Sequence, residues 1–202
     1  SQDGLSPNLR CRPVVDPPDG SRRPAARPSS VRAAPMHPDS TARLEAGDPA
    51  STVMRLGQIG FDAPAALLSQ HGLQLRRVAA GQPIPGSFWG DEEAGIIGTT
   101  VYARDDTPVH SLLHEAGHLM VLPPERRPDV HTDATDSVEE EDATCYLQIV
   151  LADQLPGVGR DRLMADMDAW GYSFRLGSTR AWFERDADNA RDFLLARGLP
   201  HA

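Results

Sequence analysis

Apolar and polar positions fall into regular periods from Phe61 onward, and those periods predict an alternation of short strands and longer helices. Asp62, with Pro64 two positions later, opens a short helix that Gly72 can end. Leu73 to Val78 alternates as a strand does, and Gly95 to Ala103 (GIIGTTVYA) is rich in β-branched residues and predicts a second strand. Asp106, Thr107 and Pro108 form a helix-start signal. The predicted helix runs from about Pro108 to Leu122 and stops at Pro123-Pro124, where the missing N–H groups prevent continuation. Another long helix starts near Asp136 to Val138 and continues to Gly157, with Ala143, Leu147, Val150 and Leu151 at helical spacing. Two or three shorter helices follow, with a break from Trp170 to Gly177. The expected class is α+β, a small sheet packed against the helix over 108–122.

The segment before this is different in kind. Pro7, Pro13, Pro17, Pro18, Pro24, Pro28, Pro35, Pro38 and Pro49 punctuate an arginine-rich stretch without an aromatic residue. Such a chain buries too little apolar surface to offset its ordering entropy, so residues 1–56 are expected to be an extended or disordered arm and 57–202 the folded domain. A formal charge of −9 and a pI near 5.2 argue against a nucleic-acid partner, which would select a basic surface. No apolar run approaches the roughly 18 residues that a membrane-spanning helix needs. With only Cys11 and Cys145 present, no disulfide framework holds the fold, and the first residues lack a basic segment followed by an apolar core. These features together predict a cytoplasmic protein.

The chemistry concentrates in His114-Glu115-Ala116-Gly117-His118. On a helix, residues four apart share a face about 6 Å apart along the axis, so two imidazoles can chelate one ion while Glu115 is displaced towards a water. Zinc at such a site lowers the pKa of a water to ~7, which makes Glu115 the natural general base. A third ligand is needed. Glu139, Glu140 and Glu141 open the following helix, and Glu140 is the choice because it lies three residues before Ala143 and seven before Leu147, on the apolar face. The competing role for Glu140 is a capping box with Ser137.

HEAGH followed one helix later by EEDATCYL resembles the gluzincin branch of the zincin metallopeptidases, in which a glutamate of the next helix, often in a Glu-x-x-Ala pattern, completes the zinc site. Glu140 to Ala143 matches that pattern, and the size and motif are similar to the compact ImmA/IrrE-like group of bacterial peptidases. The resemblance covers roughly Gly95 to Leu155. It implies a zincin-like fold, zinc bound by His114, His118 and Glu140, a peptide or protein substrate, and hydrolysis of an amide bond. It also implies that the strand from Ile96 to Ala103 is an edge strand able to pair with extended substrate. No DNA-reading helix-turn-helix accompanies the motif, so repressor cleavage does not transfer.

Other residues have competing assignments. His110 lies about 12 Å along the helix from His118, too far to share its ion, and is expected to be a supporting or surface group. A histidine six positions after His118 would mark a metzincin, but that position is Pro124. Tyr172 and Arg175, and less specifically His131, are candidates to stabilise an oxyanion. Trp89, Trp170, Phe174, Trp182 and Phe183 could line a cleft or build the core. Cys145 is expected to pack as a small hydrophobe. Gly117 costs about 1 kcal/mol relative to alanine within a helix, which points to a close approach by a backbone or a substrate. On the same motif, a non-catalytic metal-stabilised module is the alternative to an enzyme.

Overall fold

The computed structural model describes residues 52–202 except 89 and 136, so almost the whole of the predicted arm lies outside the described residues. Its last positions, however, belong to the folded body. Val53 and Leu56 are buried, and the chain there pairs with the segment before the HEAGH helix through Leu56 N→Thr107 O (2.9 Å) and Val109 N→Met54 O (2.9 Å). The boundary expected after residue 56 therefore moves to before Val53. Val53 and Leu56 are apolar residues that composition averaged over a proline-rich window concealed.

The elements in chain order are α1 (Leu56–Ile59), α2 (Asp62–Gln70), β1 (Gln74–Arg77), β2 (Gly95–Ile97), β3 (Thr100–Ala103), α3 (Val109–Val121), α4 (Val138–Ala152), α5 (Gly159–Trp170), α6 (Thr179–Arg185) and α7 (Asp188–Ala196). A 3-10 turn at Pro124–Asp129 joins α3 to α4. This is an α+β architecture with a three-stranded sheet in the order β1-β3-β2, β1 parallel and β2 antiparallel to β3. No helix among the described residues is long and apolar enough to cross a membrane.

The stretch Gly95–Ala103, expected as one strand, is a hairpin. Ile97 pairs with Thr100 around a two-residue turn in which Gly98 adopts φ 59°, the left-handed region that favours glycine. The expected substrate-pairing edge is also corrected. β3 is the central strand, and the outer side of β2 is taken by the chain itself: Ile96 N donates to Gly86 O (3.2 Å), Thr132 N to Ile96 O (2.9 Å) and Gly98 N to Val130 O (2.8 Å). These bonds satisfy the groups that would otherwise template another strand. The crossing is so tight that a Cβ on Gly95 would lie 2.0 Å from Pro85 O.

Helix α3 is the axis of the molecule. Every residue from Val109 to Val121 is buried, including the polar ones, because the sheet covers one side and α4 and α5 cover the other. A helix apolar on one stripe alone would not fit there. Beyond it, α4 packs on α5 and α7, and the aromatic residues of the C-terminal helices fill the remaining core. Phe174 stacks on Trp182 with ring centroids 4.6 Å apart, and Tyr146 stacks on Phe183 at 4.5 Å. Arg160 sits over the Phe183 ring at 5.5 Å. Three of the aromatics that could have lined a cleft are thus packing residues; Trp89 lies outside the described residues.

Candidate metal centre

One turn of α3 separates His114 from His118, and their rings meet edge to face with centroids 4.5 Å apart. Both are almost completely buried, at 4% and 1% exposure. Across the seam, Glu141 of α4 presents one carboxylate oxygen to each: His114 Nε2 to Oε1 and His118 Nε2 to Oε2, both 3.3 Å. Glu115 is buried next to them, with a carboxylate oxygen within 4.8 Å of a ring nitrogen of each histidine. Two imidazoles and two carboxylates therefore converge in a region where only Glu141 retains partial exposure, a set of donors that suits a divalent cation.

Glu140, expected to be the third ligand, is directed elsewhere. Its carboxylate accepts from Thr135 Oγ1 and pairs with Arg126 at 3.1 Å, while its backbone N–H donates to Ser137 Oγ (3.3 Å), the N-cap of α4. The physical reason for the correction lies in the burial of α4. From Ala143 to Ala152 every residue is buried, so the apolar stripe used to choose Glu140 does not mark the side that meets α3. The polar residues do: Glu141, Thr144 and Gln148, at i, i+3 and i+7, share the face against the histidines. That polar stripe within an otherwise apolar helix was the overlooked signal.

The outer nitrogens of both imidazoles are engaged by the same stripe. His114 Nδ1 lies 2.7 Å from Gln148 Oε1, and His118 Nδ1 lies 3.4 Å from Thr144 Oγ1. Gly117 permits this. A Cβ there would come within 3.2 Å of Thr144 Cγ2 and 3.4 Å of Thr144 O, so the close approach inferred for this glycine is to the backbone and side chain of α4.

His110, a turn before His114, is buried with Nδ1 3.2 Å from the Tyr172 hydroxyl, and its ring packs against Trp170 at 5.1 Å. Burial, with the neighbouring His114 and Arg55 charges, pushes its pKa down to about 3, so the ring is neutral. His114 is the opposite case: burial works against its charged form, yet the Glu141 carboxylate and the Cys145 side chain together outweigh this and hold its pKa well above the ordinary value. Tyr172 is raised well above the usual phenol value, chiefly by burial, and is protonated. Its ring centroid is 6.0 Å from that of His114, which places it beside the centre.

Arg175 does not reach the centre. It forms a two-pronged ion pair with Asp186, tying the break after α5 to the end of α6, and its side chain is 56% exposed. Its donor chemistry made it a candidate to stabilise an oxyanion, but the chain turns there and Phe174 takes the buried position. His131 is exposed, bonded to Thr132, and belongs to the strip covering β2. Cys145 is buried as expected, but not merely as a hydrophobe: its thiol falls within 4.8 Å of His114 and Glu141 donor atoms. Comparisons of the chain with models of protein families, with curated proteins and with solved structures found no match.

Proposed function

We propose that this chain is a zinc-dependent hydrolase of the peptidase type, with a zincin-like arrangement in which His114, His118 and Glu141 hold the ion and Glu115 is the general base. The observation that carries this reading is the convergence of Glu141 on both Nε2 atoms at 3.3 Å. Donors about 2.0–2.1 Å from a tetrahedral zinc ion are separated by roughly 3.3 Å, the distance at which each Nε2 atom meets a Glu141 oxygen, and this supports the reading. Zinc bound there would polarise a carbonyl and acidify a water.

The remaining work falls to the protein. Glu115 has a carboxylate oxygen within 4.8 Å of a ring nitrogen of each histidine, a position from which it accepts a proton from an attacking water and returns it to the leaving amine. Tyr172, protonated and beside His114, supplies a donor for an oxygen that gains charge. The buried surroundings strengthen each of these interactions relative to water. Substitution of Glu115→Gln tests the assignment: zinc content measured by elemental analysis stays at the wild-type level while cleavage of a peptide library is lost. Retained cleavage would remove Glu115 from the mechanism.

A second reading, a metal-stabilised module without catalysis, is favoured by one observation, the proximity of the Cys145 thiol to His114 and Glu141. A fourth protein ligand closes a zinc site to substrate, as in structural centres. Cobalt substitution separates the two. A thiolate-to-cobalt charge-transfer band that disappears in Cys145→Ala supports the closed centre, and its absence supports the open one.

A further inference from the structure

We infer that Thr144 and Gln148 are positioning residues that keep Nδ1 of both histidines protonated, so that Nε2 is the nitrogen each ring offers to an ion on the Glu141 side. This rests on the metal reading above and adds to it the residues of α4 that orient the ligands.

The inference follows from counting protons. Gln148 Nε2 lies 3.3 Å from the backbone carbonyl of His110, a group that can only accept. The amide end of Gln148 must therefore be at that carbonyl, which puts Oε1 against His114 Nδ1, and an acceptor 2.7 Å away requires that Nδ1 carry the hydrogen. Thr144 obeys the same logic independently. Its single hydroxyl proton is committed to Glu140 O at 2.8 Å, one turn back along α4. Only lone pairs of Oγ1 remain for His118 Nδ1 at 3.4 Å, so that nitrogen is also the donor.

Two backbone carbonyls thus dictate two side-chain orientations, and these keep two Nδ1 atoms protonated. Both steps concern Nδ1 alone, so that nitrogen keeps its hydrogen whether Nε2 carries a proton towards Glu141 or gives it up to bind an ion. The α4 stripe Glu141, Thr144 and Gln148 then acts as a unit in which the first residue supplies a ligand and the other two aim the partner ligands. Gly117 is part of the device, because a Cβ there would push on Thr144 Cγ2 at 3.2 Å.

Nitrogen-labelled histidine in the zinc-loaded protein provides the test, since long-range proton–nitrogen correlation spectra report which ring nitrogen is protonated. Wild type is expected to show Nδ1–H and a zinc-bound Nε2 at both His114 and His118. Thr144→Val, close to isosteric, and Gln148→Met are each expected to lower zinc affinity about 10–100-fold, the usual effect of losing such a partner. In each variant the corresponding Nδ1 proton should exchange faster with solvent. Thr144→Ser should restore both properties, which a loss of packing alone would not predict. If Gln148→Met does not fold, the Thr144 pair decides the outcome by itself. Zinc bound through Nδ1 in the wild type, or Thr144→Val affinity within twofold of wild type, would overturn the inference while leaving the metal centre standing. Failure of the wild type to bind zinc at all would overturn both.

Discussion

Helix α4 has two buried faces that behave as opposites. Towards α7 and α6 it offers Tyr146, stacked on Phe183 and set edge-on to Trp182 at 6.3 Å. Towards α3 it offers Glu141, Thr144 and Gln148 against His114 and His118. The first face stabilises the fold simply by leaving water. The second pairs polar groups that are costly to bury unless each is satisfied. A protein tolerates such a seam where a ligand completes it, and the contrast is therefore a reason to look for the ion there and nowhere else along α4.

The largest way to test the contrast is on the apolar side. Trp182→Ala should lower unfolding free energy by about 3–5 kcal/mol, and denaturant titration should give the same loss with and without zinc. An effect that depended on zinc would mean the two faces are coupled. On the polar side, free zinc at roughly 100 times its dissociation constant should add about 2.7 kcal/mol to wild-type stability. That increment should vanish in Glu141→Ala and His118→Ala and persist in Glu140→Ala, whose carboxylate serves Arg126 and Thr135. The reverse pattern between Glu140 and Glu141 would refute the ligand assignment.

Acid offers a smaller probe. His110 has its pKa lowered to about 3, so its contribution to stability is present above the unfolded value of 6.5 and is lost as pH falls towards 3. Between pH 7 and pH 5 the loss attributable to this ring should be on the order of 2 kcal/mol. His110→Gln should flatten that part of the stability profile, and an unchanged slope would show that the ring is already solvated. The smallest expected effect is at Arg175→Ala. An exposed ion pair contributes at most about 1 kcal/mol, so thermal unfolding should shift slightly and zinc binding should not change. A loss of zinc or of cleavage in that variant would return Arg175 to the centre.

Much of the α+β architecture was legible because its signals are local. Pro123-Pro124 ends α3, Gly72 follows α2, and alternation marks β1, all within a residue or two of the observed bounds. The hairpin at Gly98 was less visible, since a β-branched run reads as one strand until a glycine with positive φ turns it. Arg175 shows the same limit: Tyr172 lies beside His114, but both residues belong to the irregular segment between α5 and α6, where no period fixes which way a side chain points.

The sequence by itself determined that His114 and His118 share a face, because four residues on a helix bring side chains into line whatever surrounds them. It also determined that Glu115 would be offset from them. Which glutamate meets that pair was decided only by tertiary structure. Glu140 and Glu141 differ by about 100° around α4, and the choice depends on how that helix is rotated against α3. Gly117 lets Thr144 approach, Ser137 caps the helix at Glu140, and together these contacts turn Glu141 inward. No period in the sequence encodes that rotation, since it is set by packing between elements and not within one.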